Sequence, residues 1–207
     1  MLLHGEHSPE DVKDFAGSIH KSGKRMLQLI ANIMDFAKID SGQEAVAKQP
    51  FSLLAMMHKI FDMYKSPVFA KGIELSCVVP IELTNTVIIA DEHKLIQILA
   101  KLMDNALNFT KEGMIELSCA IRDHLLILKV KDSGVGIARS EQAKIFESFY
   151  QTDMSFTRDQ AGAGLGLPIC KGLARLLGGD ITVNSEPGKG SEFTLEVPIE
   201  VAENLSL

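Results

Sequence analysis

The 207-residue sequence contains no tryptophan, only three cysteines and no excess of positive charge. Cys77, Cys119 and Cys170 are far apart within apolar patterns, which favours buried thiols in a reducing cytosol over a disulfide or zinc framework. The net charge of −6 argues against a nucleic-acid-binding protein, which would present a basic face. No apolar run approaches the ~20 residues that cross a bilayer, and no signal peptide is visible. We therefore expect a globular cytoplasmic chain, although the full-length protein could be anchored to a membrane.

The sequence also lacks the Gly-x-x-x-x-Gly-Lys-Ser/Thr phosphate loop, yet it has four other motifs that are typical of a nucleotide pocket. Each motif alone is weak, because Gly-x-Gly recurs by chance, but four in series are strong. In chain order they are Asp104-Asn105-Ala106-Leu107-Asn108-Phe109-Thr110, Asp132-Ser133-Gly134-Val135-Gly136-Ile137, Gly162-Ala163-Gly164-Leu165-Gly166-Leu167 and Gly188-Lys189-Gly190-Ser191-Glu192-Phe193.

The second motif is suited to a purine base. Asp132 ends an apolar run, where a strand opens into a glycine loop, and its carboxylate can accept a hydrogen bond from an exocyclic amine such as that of adenine. Gly134 and Gly136 let the backbone approach a flat base closely.

The third and first motifs are suited to phosphates and a metal ion. Gly162–Gly166 precedes a helix that has Pro168 in its first turn, and free N–H groups at a helix start bind phosphate oxygens. Asn105 offers a neutral amide oxygen, which is a fitting ligand for Mg²⁺ that phosphates and water already bind.

These motifs resemble, in order, the N, G1, G2 and G3 boxes of the sensor histidine kinases, which belong to the wider GHKL group of ATPases. The resemblance covers residues from about Ser8 to Ile199 and implies binding of ATP or ADP with Mg²⁺. It implies Asn105 as the metal ligand and catalytic residue, and Asp132, with Ser191 through a water, as the adenine site. The implied nucleotide-binding set is Asn105, Asn108, Asp132, Gly134, Gly136, Ile137, Gly162, Gly164, Leu165, Gly166, Leu167 and Ser191.

The order of helix and strand signals predicts an α/β fold, a two-layer sandwich of a mixed sheet and helices like that of the GHKL group. The predicted helices after residue 50 run from near Phe51 to about Ala70, from Asp91 through Ala106, from Ser140 to Phe146 and from Leu167 to Leu177. The predicted strands are Ile73 to Val79, Val87 to Ala90, Met114 to Ile121, Leu125 to Lys131, Asp180 to Asn184 and Ser191 to Val197.

A long coiled-coil-type helix is predicted from Ser8 to about Gly42, because apolar residues recur there with a heptad period. The apolar residues, broken only by Ser22, are Val12, Phe15, Ile19, Met26, Leu29, Ile33 and Phe36. We call this predicted helix α1 and this set of residues the α1 seam. We expect the seam to pack on helices of another chain or of upstream sequence; the alternative is that it folds back on its own domain. The predicted units are residues 1–45, the second helix of a dimerisation hairpin, and 46–207, the ATP-binding catalytic domain.

Two features depart from the kinase pattern. His4, His7 and His20 are not followed by the acidic residue and Arg-Thr-Pro stretch of a phosphoacceptor histidine, so we expect the acceptor helix outside this chain. Asn108 stands where the family often has lysine, and Lys101 and Lys111 are the cations that could compensate. The resemblance also implies a homodimer through Ser8–Gly42 and a response regulator receiver domain as partners.

The stretch from Phe146 to Ala161 resembles the F box, carried by Phe146 and Phe149, followed by an ATP lid. Arg158 within it is either a phosphate contact or a solvated loop charge. The predicted function is the catalytic core of a sensor histidine kinase. The alternatives are an ATP-sensing pseudokinase and another GHKL machine, such as a mismatch-repair or chaperone-type ATPase.

Overall fold

The computed structural model describes residues 8–151 and 164–202. The helices are α1 (Pro9–Asp40), α2 (Leu53–Ala70), α3 (Glu92–Phe109) and α4 (Gly166–Leu176). The strands are β1 (Gln49–Ser52), β2 (Glu74–Val78), β3 (Val87–Ala90), β4 (Met114–Arg122), β5 (Leu125–Asp132), β6 (Asp180–Glu186), β7 (Gly190–Pro198) and β8 (Glu200–Val201). No helix in these ranges is long and apolar enough to cross a membrane.

The main sheet has five strands in the order β2-β4-β5-β7-β6, and only the β2–β4 pair is parallel. Strand β4 buries Ile115, Leu117 and Cys119, and alternation along the other strands places their apolar residues on the same face. This face packs with α2, α3 and α4 into one core. The predicted two-layer α/β sandwich with a mixed sheet is therefore confirmed.

A second sheet of three strands, β1-β3-β8, was missed in part by the sequence analysis, which predicted only β3. Strand β1 contains a proline and ends at Ser52, the N-cap of α2, so it lacks the unbroken apolar run that marks β3. Strand β8 has only two residues, too few for any pattern.

The predicted helix from Ser140 to Phe146 is wrong, since the structure has only a short 3-10 helix at Lys144–Phe146. The backbone N–H groups of Glu141 and Lys144 donate to carbonyls three residues earlier, at 2.8 and 2.9 Å. Successive i to i+3 bonds form turns rather than a continuous α-helix.

Asp91 caps α3, as predicted, and also fastens the preceding segment. One carboxylate oxygen accepts from the Lys94 N–H at 3.0 Å, and the other accepts from the Ala47 N–H at 2.9 Å. The Lys94 ammonium is buried and lies 3.0 Å from Glu44. Buried charges and caps thus join residues 44–47 to the start of α3.

Helix α1 divides the predicted seam between two environments. Phe36 packs against the core, as does the neighbouring Ile39, whose Cγ2 would lie 2.7 Å from a Cβ added to Gly172 of α4. Most of the seam remains exposed, including Val12, Ile19, Met26 and Ile33. The folding-back alternative thus holds for the last turns of α1 only.

Candidate nucleotide site

Asp132 is the last residue of β5 and lies opposite Ser191 of β7 in the sheet register. Its side chain accepts hydrogen bonds from the Gly134 N–H, at 2.8 Å, and from the Ser191 N–H. The residue is only 6% exposed. Burial raises the pKa of this carboxyl, and the two backbone bonds offset the rise only in part. A carboxylate in this position would be stabilised by a further donor, which an exocyclic amine can supply.

The loop after Asp132 runs against backbone on two sides, which explains its glycines. A Cβ on Gly134 would collide with the Phe109 carbonyl oxygen, at the end of α3, and one on Gly136 with the Glu186 carbonyl oxygen. Gly136 also has φ +70°, a conformation that other residues rarely adopt. The Val135 N–H donates to the Phe109 carbonyl at 3.3 Å. The loop is therefore fixed between α3 and the end of β6.

Two polar side chains that the sequence analysis missed brace this loop. The Ser185 hydroxyl accepts from the Ile137 N–H at 2.8 Å and lies 3.0 Å from the Ser191 hydroxyl. The Gln142 amide donates to the carbonyls of Ile137, at 3.1 Å, and Ser185, at 2.7 Å. These bonds join residues up to 48 positions apart, so no local pattern could have revealed them.

Asn105 and Asn108 lie one turn apart in the last part of α3, with Asn105 half-buried and Asn108 exposed. The helix is held from α2, because the Tyr64 hydroxyl lies 2.7 Å from both the Asp104 carboxylate and the Ala100 carbonyl. Burial, followed by the bond and the charge of Asp104, raises the pKa of Tyr64, which therefore remains a donor. Since Phe109 touches the Gly134 loop, α3 carries the Asn105 amide to the same edge of the fold as Asp132.

The start of α4 has the features expected of a phosphate-binding turn. Gly164 has φ +69° and its carbonyl accepts from the Phe149 N–H at 3.0 Å. Leu165 precedes the helix and provides no side-chain cap for the first backbone N–H groups, which begin at Gly166 and Leu167. Such groups favour anionic oxygens. The predicted Gly162 and Arg158 lie outside the described residues.

The two phenylalanines of the predicted F box differ in environment. Phe146 is half-buried, and the Lys171 ammonium lies 5.2 Å from its ring centroid. Phe149 is exposed and has φ 65°. The rest of the predicted lid, residues 152–161, lies outside the described residues.

Lys101, one of the two cations considered for compensation, is bound elsewhere in this structure. Its Nζ donates to the Asn32 side-chain oxygen of α1 at 3.0 Å. No group of three or more His, Cys, Asp or Glu side chains that could hold a metal occurs among residues 8–151 and 164–202. A metal at this site would depend on Asn105 and on ligands from the nucleotide and water.

Residues 90–201 match the family described as histidine kinase-, DNA gyrase B- and HSP90-like ATPase. The chain belongs to this family. The match spans the described elements of the site from α3 to β7, so the fold around Asp132 is that of an ATP-binding domain of this kind.

Relatives of the ATPase domain are sensor kinases. The sensor histidine kinase RcsC of Salmonella typhimurium is 35% identical over 202 residues, covering 96% of this chain and 21% of RcsC. The circadian input-output histidine kinase CikA of Synechococcus elongatus is 36% identical over 192 residues, covering 91% of this chain and 25% of CikA. This chain thus spans only about a fifth to a quarter of these relatives.

Solved structures agree with this family assignment. Full-length ShkA in complex with AMPPNP aligns over 97% of this chain and 41% of ShkA, with a TM-score of 0.83 and 30% identity. The catalytic domain of the histidine kinase ThkA aligns over 73% of this chain and 95% of its own, with a TM-score of 0.63 and 23% identity. The ThkA likeness supports the fold of the catalytic domain.

Proposed function

We propose that this chain is the ATP-binding catalytic core of a sensor histidine kinase, and that it presents the γ-phosphoryl group of Mg²⁺-ATP to a histidine outside residues 1–207. The observation that carries this proposal is the buried Asp132 carboxylate beside a loop in which positions 134 and 136 leave no space for a side chain. The sensor kinases among the relatives support the transfer to histidine.

The Asp132 carboxylate accepts a hydrogen bond from the exocyclic amine of adenine, and this contact selects the base. The Gly134 and Ser191 N–H groups hold the carboxylate in place, while Gly136 lets the loop pass close to the Glu186 carbonyl. Ser191 also offers its hydroxyl for a water-mediated contact. The backbone N–H groups from Gly164 to Leu167 bind the phosphates, together with Gly162 from outside the described residues.

Asn105 would be the protein ligand for Mg²⁺, because it is half-buried on α3 one turn before Phe109, whose carbonyl contacts the Gly134 loop. A bound Mg²⁺ would supply positive charge to offset that of the phosphates. The chain contributes orientation: α3 fixes Asn105, the Asp132 pocket fixes the base, and the α4 start fixes the phosphates. Phosphoryl transfer depends mainly on such positioning and electrostatic stabilisation.

The finer assignments follow from the same proposal. The exposed part of the α1 seam pairs with a second copy, which gives a homodimer through Ser8–Gly42. A response regulator receiver domain accepts the phosphoryl group from the histidine. The catalytic core formed by this chain acts in the cytoplasm.

Phosphate transfer to a supplied acceptor tests the proposal. The chain is incubated with γ-labelled ATP and the histidine-bearing hairpin of a relative such as RcsC, and acid-labile phosphohistidine is measured. We expect label on the hairpin, none on this chain alone, and loss of transfer with Asn105→Ala. ATP binding without transfer to any supplied hairpin would contradict the kinase assignment and favour an ATP-sensing module, and absence of ATP binding would contradict both.

A further inference from the structure

One face of α3 is a continuous polar stripe that runs into the nucleotide site. Gln97, Lys101, Asn105 and Asn108 fall within a sector of about 80° at 100° per residue, away from the buried face of the helix. Lys101 lies one turn before Asn105, about 6 Å along the helix axis.

Helix α1 covers the first half of this stripe. The Gln97 amide donates to Asp35 at 3.0 Å, and the Lys101 ammonium donates to Asn32 at 3.0 Å. The earlier residue on α1 thus pairs with the later residue on α3, so the two helices are antiparallel here. The path of α1 from Asp35 to Asn32 leads toward the Asn105 end of the stripe.

The charge of Lys101 is not balanced by its α1 contact. Its bonded partner is a neutral amide, and no carboxylate of the described residues lies within ion-pair distance of it. Lys94, on the same helix, differs, because its ammonium lies 3.0 Å from Glu44 and 3.4 Å from Asp91. A half-buried ammonium with a neutral partner gains more from an anionic oxygen than from an amide.

We propose that Lys101 is a phosphate-binding residue of the nucleotide site, and that docked α1 competes for it through Asn32. The proposal rests on the proposed function, since it places the ATP phosphates beside Asn105. The four-carbon stem of lysine lets the ammonium turn from Asn32 toward phosphates one helical turn away. Binding of the phosphates then removes a bond that holds α1, and docking of α1 weakens phosphate binding by the same factor.

The test measures dissociation constants of AMPPNP and of adenosine for the full chain by titration calorimetry. Lys101→Met should weaken AMPPNP binding about tenfold, because it removes a charge-assisted hydrogen bond, and should leave adenosine binding unchanged. Asn32→Ala should tighten AMPPNP binding about fivefold. The double variant Lys101→Met with Asn32→Ala should bind AMPPNP as weakly as Lys101→Met alone, because the ammonium that Asn32→Ala would release is absent.

Lys59→Met is the matched control, since it removes one positive charge from an exposed position on α2. Its affinity for AMPPNP should equal that of the unchanged chain. Equal AMPPNP affinities for Lys101→Met and the unchanged chain would overturn the proposal. Tightening by Asn32→Ala that persists in the double variant would also overturn it, because α1 would then obstruct the site without Lys101.

The outcomes separate this inference from the proposed function. If the unchanged chain binds neither AMPPNP nor adenosine, the nucleotide site itself is wrongly assigned. If it binds both, and Lys101→Met and Asn32→Ala have no effect, only the role of Lys101 fails. Circular dichroism of each variant confirms that the fold is retained.

Discussion

Replacing Asp132 with asparagine changes one carboxylate oxygen into an amide donor at the point where adenine should be recognised. The remaining oxygen can still accept from the Gly134 N–H, so the loop should keep its conformation. The exocyclic amine of adenine, however, would lose an ionised acceptor. We expect Asp132→Asn to fold normally and to bind ATP weakly.

The size of the effect follows from the burial of the carboxylate. A hydrogen bond to a charged group contributes about 1.5–3 kcal/mol, so ATP affinity should fall by at least about tenfold. Without nucleotide, Asp132→Asn should instead raise the free energy of unfolding at neutral pH. Burial raises the folded-state pKa of Asp132 above its unfolded value, so its stabilising contribution is present at low pH and is lost as pH rises through the folded pKa.

At neutral pH the nucleotide-free Asp132→Asn protein should therefore melt at a higher temperature than the unchanged protein. Each 1 kcal/mol corresponds to about 2–4 °C for a chain of this length. The difference should shrink as the pH falls below the folded pKa of Asp132. Thermal melts without nucleotide, recorded over a series of pH values, measure both effects.

Titration calorimetry with ATP and with ITP, which lacks the exocyclic amine, isolates the base contact. The unchanged protein should prefer ATP, and Asp132→Asn should lose most of that preference. Asp180→Asn is the control, because this exposed carboxylate lies beside Lys171 at the opposite end of β6 from Ser185. Equal ATP affinities for the unchanged and Asp132→Asn proteins would refute the role of Asp132 in base recognition.

Three further changes test the cap of α3, the Gly136 loop and the α1 seam. Asp91→Ala removes the α3 cap and one buried partner of Lys94, so it should destabilise the chain by about 3 kcal/mol in urea unfolding, whereas exposed Asp62→Ala should not. Burial works to raise the pKa of Asp91, but bonds from Ala47 and Lys94 and the Lys94 charge lower it overall, so this stabilisation should be lost as pH falls through the folded pKa. Gly136→Ala should lower both the melting temperature and the affinity for ATP, because φ at this position is +70° and the added Cβ would meet the Glu186 carbonyl. Gly188→Ala is the control: φ is +79° but the space beside it is open, so only backbone strain should lower its melting temperature. Replacing the exposed seam residues Ile19 and Met26 with Glu should convert the self-associated chain to monomer in analytical ultracentrifugation, while His20→Glu with Ala31→Glu, outside the seam, should not. If the unchanged chain is monomeric at high concentration, dimerisation through α1 is contradicted.

The sequence was informative wherever a few neighbouring residues decide the structure. Asp91 before an amphipathic run predicted the start of α3, and the alternating runs on either side of Asp123 predicted the β4–β5 hairpin. The position of Asp132 at the end of an apolar run predicted a carboxylate at the end of a strand. The fold class follows from these local signals.

The contacts that complete the site depend on residues far apart in sequence. Gln142 and Ser185 brace the Ile137 turn, but each is an ordinary polar residue in its own segment. The sequence also could not show which part of the α1 seam is buried, because Phe36 and Ile33 are both apolar residues of the same heptad pattern. Only the docking of α4, where Gly172 admits Ile39, separates the buried end of α1 from the exposed part.

Helix α3 is the element through which the parts of this domain act on one another. Its buried stripe anchors it in the core, and its last carbonyl, that of Phe109, holds the Gly134 loop. Its polar stripe contacts α1 at Lys101 and carries Asn105, the proposed metal ligand. A packed helix moves as a unit rather than bending to suit each neighbour. A shift of α3 that repositions Asn105 would therefore also alter the contact between Lys101 and Asn32, so nucleotide binding and α1 docking need no separate connecting element.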